Sequence, residues 1–282
     1  MFNSELRRRD FIRSVCFAGS VTWASRALPA AAEQFAGAAL LMRLRDRKML
    51  LERNAVLANR WIVPPGSTIK PFSLLALVES GKLQARETFL CPGRMTIAEH
   101  NLTCSHPATA LPMNISRAIS YSCNCAVAHF ARRFEAGELS RFLIRSGFGS
   151  TGSVEPATSM EDWLLEALGD EHVKVTAIEI LRGYARLANL WEEPVVAPII
   201  EGLEGAVDFG TAQALKLRTA RVAAKTGTAR VLAGVNAAWV AGFAPSSRPE
   251  VVFTVLVQGR SGGADAAPVA AGMLRSYFGQ TD

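Results

Sequence analysis

The sequence lacks the long apolar run that a transmembrane helix needs, since no 18 consecutive residues are apolar. It also lacks a strong charge imbalance: 31 lysines and arginines stand against 25 acidic residues, and the excess forms no basic run beyond residue 32. We therefore expect no nucleic-acid partner. Intrinsic disorder is excluded, because 49% of the residues are hydrophobic and only 20% are charged. The 282 residues suffice for one large domain or two small ones.

The N-terminus is typical of an export signal. Arg8 and Arg9 lie in a basic head, a weakly apolar stretch follows, and small residues lead up to Ala32. The paired arginines favour the twin-arginine type of signal. We expect residues 1–32 to be this signal and residues 33–282 to be the mature domain. The protein would then lie outside the cytoplasm, in the periplasm or at the outer face of the inner membrane. An uncleaved signal that acts as an anchor is the alternative.

Cysteine is scarce, with five in the chain. Cys91 and Cys104 lie around a predicted hairpin and are the candidate disulfide of an oxidising compartment. Cys123 and Cys125 flank a single residue, a poor spacing for a bridge between them. A zinc site is the alternative use of this region, although the ligand spacings typical of structural zinc are absent. Its ligands would be Cys91, His100, Cys104 and His106.

The hydrophobic pattern predicts an α+β fold. Both ends of the chain are rich in strand patterns and would share one antiparallel sheet flanked by helices, whereas the middle would form a mostly helical lobe. The predicted strands cover residues 35–44, 48–52, 221–230, 235–243 and 251–257. The predicted helices cover residues 67–80, 114–120, 125–135, 138–146, 173–189 and 266–278.

Ser67 and Lys70 form the first motif that suggests chemistry. On a helix, residues three apart share a face. A serine hydroxyl becomes a nucleophile when a base removes its proton, and a lysine can be that base if burial lowers its pKa. A capping serine beside a solvated lysine is the alternative interpretation.

Ser122 and Asn124 form a second motif, on a loop between two predicted helices. The hydroxyl can relay a proton and the amide can hold a substrate carbonyl. A pair of helix-capping residues is the alternative interpretation.

A third motif, Lys225 to Thr228, lies inside a strand pattern. Gly227 lacks a side chain, so a substrate backbone can approach and pair with the strand edge. Lys225, Thr226 and Thr228 supply a positive charge and hydroxyls for an anion. An ordinary edge strand with a protective lysine is the alternative.

The three motifs occur once each and in this order. Together they resemble the signature of penicillin-binding proteins and serine β-lactamases, and most closely the transpeptidase domain of class B penicillin-binding proteins. The resemblance spans roughly residues 35–280. The flanking segments that share it are Pro65–Phe72, Cys91–Gly93, Ile119–Asn124, Tyr184–Asn189 and Trp239–Pro245.

This resemblance implies a reaction. Ser67 would attack the penultimate D-Ala carbonyl of a peptidoglycan stem peptide and form an acyl-enzyme, and Lys70 would be the base. Ser122 would relay the proton to the departing D-Ala. An amine of a neighbouring strand, or water in a carboxypeptidase, would then accept the acyl group. No metal or organic cofactor is required, and a separate glycosyltransferase is the expected partner.

The resemblance also implies binding roles. Asn124 would orient the peptide and Lys225 would tune the proton network. Thr226 and Thr228, on the strand opened by Gly227, would hold the terminal carboxylate of the peptide or of a β-lactam.

Two further functions compete with the transpeptidase. A serine β-lactamase is one, but the Glu-x-x-Leu-Asn segment of class A enzymes is missing, and class D enzymes usually carry Ser-x-Val where this chain has Ser-x-Asn. A non-catalytic penicillin-binding sensor or scaffold is the other, and the intact motifs argue against it. The chain departs from the family pattern at Ala224, where glycine is frequent, and at Gly169, which begins Gly-Asp-Glu instead of Gly-Gln-Gly.

Overall fold

The computed structural model describes residues 36–104, 106–107, 112–170, 172–232 and 235–279. The predicted signal of residues 1–32 lies outside these ranges, so its boundaries stay a prediction. Within them, no helix combines the length and the apolar character needed to cross a bilayer.

A five-stranded antiparallel sheet takes strands from both ends of the described chain, as predicted. Its strands are β1 (Gly37–Arg43), β2 (Met49–Arg53), β7 (Ala223–Leu232), β8 (Val235–Ala244) and β9 (Val251–Gly259), in the order β2-β1-β9-β8-β7. The strand with the Lys-Thr-Gly motif, β7, therefore forms an edge. An edge strand has backbone groups free to pair with a peptide.

Helices surround this sheet and build a second lobe. They are α1 (Ala55–Arg60), α2 (Lys70–Glu79), α3 (Ile115–Ser120), α4 (Asn124–Ala131), α5 (Glu138–Arg145), α6 (Met160–Leu168), α7 (Ala177–Asn189), α8 (Ala197–Asp208) and α9 (Ala267–Tyr277). Two small antiparallel sheets accompany them, the hairpin of β3 (Arg94–Ile97) with β4 (His100–Thr103) and the pair β5 (Ser153–Val154) with β6 (Val173–Lys174). The α+β prediction is confirmed, although the pattern did not reveal α1, α6 and α8.

Helices α7 and α9 pack against the middle strands of the sheet. This packing explains why β1 and β9 are apolar and buried along nearly their whole length instead of alternating with polar residues. The lobe is built around α2, whose residues from Lys70 to Leu77 are all buried. The segment that follows Ser67 is thus anchored in the hydrophobic core.

The helix predicted over residues 173–189 starts later than expected. Val173–Lys174 pairs instead with Ser153–Val154 as a short two-stranded antiparallel sheet. The helix begins after Thr176, whose hydroxyl accepts the Glu179 N–H while the Glu179 carboxylate accepts the Thr176 N–H. This reciprocal capping box satisfies two backbone donors and sets the first turn at Ala177. The hydrophobic periodicity extended across the strand and concealed the boundary.

Candidate active site

The nucleophile candidate Ser67 lies in a turn of 3₁₀ helix, Gly66–Ile69, that leads directly into α2. A 3₁₀ helix has three residues per turn, so side chains at i and i+3 are eclipsed. Ser67 and Lys70 therefore stand one above the other, and the Lys70 N–H bonds to the Ser67 carbonyl. Ser67 is half-buried, whereas Lys70 is fully buried. A partly open hydroxyl above a buried amine suits a nucleophile and its base.

Two buried aromatic side chains hold this turn from the core. The Tyr184 hydroxyl of α7 donates to the Thr68 carbonyl at 2.9 Å. The Trp239 indole of β8 donates to the Pro64 carbonyl, also at 2.9 Å. Both aromatic residues come from segments that carry the family resemblance, but the sequence assigned them no task. The structure shows that they fix the backbone on both sides of Ser67.

Glycines allow the neighbouring backbone to approach the same turn. Gly66 has φ +53°, and a Cβ atom there would lie 2.7 Å from the Thr228 carbonyl oxygen. Gly169 has φ +80°, and a Cβ atom there would overlap the Gly66 carbonyl. The Gly66 N–H donates to the Gly169 carbonyl at 2.9 Å. The Gly-Asp-Glu segment differs from the family pattern, but its first residue, Gly169, is the one that the turn requires.

The loop between α3 and α4 brings Ser122 and Asn124 to Lys70. Ser122 has φ +55°, an uncommon conformation for a residue with a side chain, and such strain is concentrated at functional sites. The Lys70 ammonium donates to the Ser122 carbonyl at 2.9 Å, the Ser122 hydroxyl at 3.4 Å and the Asn124 amide oxygen at 2.5 Å. The first and second motifs therefore meet at one lysine.

Burial makes Lys70 a credible base. Loss of hydration disfavours the ammonium form and lowers the pKa of Lys70 to about 8. The second lysine, Lys225, is also fully buried, and burial together with the charge of Lys70 holds its pKa well below the usual value. The two buried ammonium groups repel each other, and this repulsion favours loss of a proton from one of them.

The Lys-Thr-Gly motif lies on edge strand β7. Its alternation places Lys225 and Gly227 on one face and the two threonines on the other. A Cβ atom at Gly227 would lie 2.6 Å from the Pro65 carbonyl oxygen. The nucleophile turn of the protein itself therefore requires a glycine here, and the approach of a substrate backbone to the strand edge stays a prediction.

The two threonines lie in different surroundings. Thr226 is buried and its hydroxyl is 2.7 Å from the Thr211 hydroxyl, whereas the exposed Thr228 accepts the Gly262 N–H at 3.2 Å. Thr211, in the turn that follows α8, carries no sequence signal that sets it apart from other threonines. Only the fold brings it to the face of β7 that carries the two threonines.

The candidate disulfide is not formed in the structure, which corrects that expectation. The sulfur atoms of Cys91 and Cys104 are 3.7 Å apart, far beyond a bond of about 2.05 Å. Instead, four free thiols gather beside the Ser122 loop: Cys91, Cys104, Cys123 and Cys125.

Part of this group has the arrangement of a metal site. The ligand atoms of Cys91, Cys104, His106 and Cys123 all lie within 4.8 Å of one another. The zinc ligands expected from the sequence included His100, whereas this group contains Cys123 instead. Cys104 and Cys123 are far apart in the chain, so their proximity could not be read from the sequence.

A sequence model of the penicillin binding protein transpeptidase domain matches residues 36–275. No match was found among curated proteins. The solved structure of Pseudomonas aeruginosa PBP2 in complex with WCK 5153 is similar, with 19% identity and a TM-score of 0.75, and the match covers 86% of this chain and 74% of that one.

Two structures from Helicobacter pylori are similar as well, each with 19% identity and a TM-score of 0.75. The match with its PBP2 covers 88% of this chain and 61% of that one. The match with its PBP2 in complex with MreC covers 87% and 60%. The chain thus spans less than two thirds of the Helicobacter proteins, and these likenesses establish the fold.

Proposed function

This chain belongs to the penicillin-binding protein transpeptidase family, and from that premise we propose that it is a D,D-transpeptidase of peptidoglycan stem peptides. One observation carries the proposal: the buried Lys70 lies one 3₁₀ turn from Ser67 and bonds to both Ser122 and Asn124. A serine one turn from a buried amine, with a second hydroxyl bonded to that amine, supplies the groups that acyl transfer needs.

The first chemical step uses the lone pair of Lys70. A neutral amine has two N–H groups, which suit the two shorter bonds, to the Ser122 carbonyl and the Asn124 amide. Its lone pair is then free to take the proton of Ser67 as the Ser67 Oγ attacks the carbonyl carbon of the penultimate D-Ala. Backbone N–H groups of Ser67 and Thr228 stabilise the oxyanion in this proposal.

The second half of the step returns the proton. The contact of 3.4 Å between Lys70 and the Ser122 hydroxyl is the longest of the three, so this hydroxyl can exchange donor and acceptor roles with the amine. Ser122 passes the proton to the nitrogen of the departing D-Ala as the peptide bond breaks. An amine of a neighbouring stem peptide then attacks the ester and regenerates Ser67.

Substrate binding uses the edge of β7. A stem peptide or a β-lactam lies along this edge, with Thr226 and Thr228 supplying hydroxyls to its carboxylate. Lys225, on the opposite face of the strand, tunes the proton network at Lys70. The Asn124 amide nitrogen donates one hydrogen to the Thr103 carbonyl at 3.2 Å. In this proposal its second hydrogen bonds to the peptide.

The location and the partners belong to the same proposal. Peptidoglycan is cross-linked outside the cytoplasm, which agrees with the predicted export signal of residues 1–32. A transpeptidase domain needs glycan strands to join, so a separate glycosyltransferase is the proposed partner.

Labelling with a fluorescent penicillin tests the assignment. We expect one covalent adduct on the full chain, on Ser67, and its complete loss in Ser67→Ala. Ser80→Ala changes a serine at the opposite end of the same helical segment and should label normally. An adduct that persists in Ser67→Ala, or that maps to another residue, overturns the assignment.

The lifetime of that adduct separates the transpeptidase from a β-lactamase. Hydrolysis needs a positioned base for water, and without one it forgoes roughly 10²–10⁴-fold of catalysis. A buried carboxyl with a raised pKa is a candidate for such a base. That of Glu166, whose pKa burial raises to about 7, faces Ser140 in the helical lobe. We therefore expect β-lactams to inhibit the protein. Rapid turnover of penicillin, lost in Ser67→Ala, would instead make it a β-lactamase.

A further inference from the structure

An exposed aromatic side chain lies in the turn that follows α8. Phe209 is 51% exposed and is the one aromatic residue among the large apolar side chains that the described part of the chain presents to solvent. Its ring contacts that of Tyr121, with 5.4 Å between the ring centroids. Tyr121 is half-buried and directly precedes Ser122. We call this pair the aromatic shelf, and it presents an apolar surface beside the loop that carries the Ser122 hydroxyl.

The backbone of the turn is held without help from the Phe209 ring. The Gln213 side-chain amide donates to the carbonyls of Phe209 and Gly210 at 3.2 Å and 3.0 Å. A Cβ atom at Gly210 would overlap the Ser120 carbonyl oxygen, so the turn lies directly against the end of α3 that leads to Ser122. Removal of the Phe209 ring should therefore leave the turn in place.

The same turn also reaches the third motif. The Thr211 hydroxyl is 2.7 Å from that of Thr226 on β7. Phe209 precedes Thr211 by two residues, and Tyr121 adjoins Ser122. The aromatic shelf thus borders the part of the cleft between the Ser122 loop and the threonine face of β7.

In the proposed reaction, this part of the cleft holds the departing D-Ala. Ser122 passes a proton to its nitrogen, and the hydroxyls of Thr226 and Thr228 hold its carboxylate. An acceptor amine follows this path in reverse, because the step that forms the new amide is the counterpart of the step that broke the old one. An acceptor with its amine and a carboxylate on one carbon would use the same contacts. The aromatic shelf, at the same end of the cleft, is then left to contact its side chain.

We propose that the aromatic shelf binds the aliphatic side chain of the acceptor and thereby selects an amino acid group at the end of a long carbon chain. An amine and a carboxylate on one carbon at the end of such a chain are the chemistry of a diamino dicarboxylic acid in the stem peptide. The proposal rests on the transpeptidase function proposed above.

The transfer step balances without a further reactant. The acceptor nitrogen forms a bond to the acyl carbon, and the bond from that carbon to the Ser67 Oγ breaks. The proton that the amine loses passes through Ser122 to the Ser67 Oγ. The aromatic shelf takes no part in these bonds and acts only on which acceptor is bound.

The size of the effect follows from the contact that the shelf offers. One methylene in a hydrophobic pocket changes selectivity roughly 10–200-fold. The shelf covers a side chain from one side and stays open to water on the other. We therefore expect a preference of about 10-fold in total for a butyl side chain over a methyl group.

Competition between two acceptors tests the proposal. The full chain is given an acyl-D-alanyl thioester as donor, together with equal concentrations of D-Ala and D-norleucine, whose side chain is a butyl group. Mass spectrometry of the two products gives the ratio of transfer to each acceptor. Because both acceptors react with the same acyl-enzyme, this ratio does not depend on how fast the acyl-enzyme forms. We expect about 10-fold more D-norleucine product from the unmodified protein.

Variants of the shelf should change this ratio. Phe209→Ala should bring it close to one, whereas Phe209→Tyr, which keeps the ring, should retain most of the preference. Val56→Ala shortens another exposed apolar side chain, on α1, and should leave the ratio unchanged. An unchanged ratio in Phe209→Ala would overturn the role of Phe209. A ratio of one in the unmodified protein would overturn the shelf whether or not the variants fold.

A third acceptor tests the second part of the proposal. The side-chain amine of N-acetyl-lysine ends a carbon chain but has no carboxylate on the same carbon. Transfer to it that equals transfer to D-norleucine would overturn the selection of an amino acid group. Consumption of the donor without transfer to any acceptor would overturn the transpeptidase function and the shelf together. Transfer to D-Ala and D-norleucine without preference would overturn the shelf alone.

Discussion

The nucleophile turn and the Ser122 loop meet at Lys70 but are held in different ways. The turn is fixed by the fold, because Tyr184, Trp239 and Gly169 bond to its backbone from three separate elements. The loop instead relies on polar contacts with Lys70 and on the cysteine group, and Ser122 is strained. The backbone around Ser67 is therefore held in place by the core, whereas the polar contacts that carry the proton can be changed without moving that backbone. Substitutions should separate the two properties.

The largest effect is expected where the two regions join. Replacing Lys70 with Met removes the base and should slow acylation by penicillin roughly 10²–10⁴-fold. Stopped-flow labelling measures this rate, and Lys48→Met, an exposed lysine in the β1–β2 turn, is the control. In the unmodified protein the rate should rise with pH and level off above about 8, where Lys70 is neutral. A rate independent of pH between 6 and 9 would remove Lys70 as the base.

Asn124→Asp should disturb the proton path without moving the turn. A carboxylate would lie 2.5 Å from the Lys70 amine, and an opposite charge at that distance raises a pKa by roughly 1–3 units. The pH at which acylation levels off should rise accordingly, and the rate at pH 7 should fall about tenfold or more. Asn124→Leu, which removes the amide without adding a charge, should not shift the profile upward. Identical profiles for the two variants would show that the contact has no influence on Lys70.

Gly169→Ala should affect the turn through stability. The added Cβ would overlap the Gly66 carbonyl, and φ is +80°. Strain and overpacking together should cost about 3 kcal/mol of unfolding free energy. Thermal unfolding would show this as a decrease of roughly 6–12 °C. Gly81→Ala has a similar φ of +71° but nothing within 4 Å, so it should cost only about 1 kcal/mol. Equal effects of the two substitutions would rule out the close approach as the cause.

Tyr184→Phe should have the smallest effect of the four. It keeps the ring contact with Phe72 but leaves the Thr68 carbonyl without its donor, at a cost of about 1–3 kcal/mol. The pH profile of acylation should stay unchanged, since the Lys70 contacts are untouched. Tyr277→Phe, at a half-buried tyrosine near the C-terminus, should change stability by less than about 0.5 kcal/mol. A shifted pH profile in Tyr184→Phe would mean that the turn and the proton path are coupled.

Much of the fold was predictable because hydrophobic periodicity is local. The hairpin β1–β2, the strands β7 to β9 and the cap of α3 by Asn114 follow from neighbouring residues. The start of α7 was misjudged for the same reason, since pairing of Val173–Lys174 with a strand that is distant in the chain leaves no mark in a helical pattern.

The family and its candidate reactive side chains were readable from the amino-acid sequence, because three short motifs in fixed order encode them. Their proton chemistry was not, because the pKa of Lys70 depends on burial that only the assembled core provides. The same holds for the thiols. The sequence set Cys91 and Cys104 apart as a pair, whereas folding brought Cys123, Cys125 and His106 beside them. Ligand geometry is a property of distances in space, and chain spacing constrains those distances only within one helix, turn or hairpin.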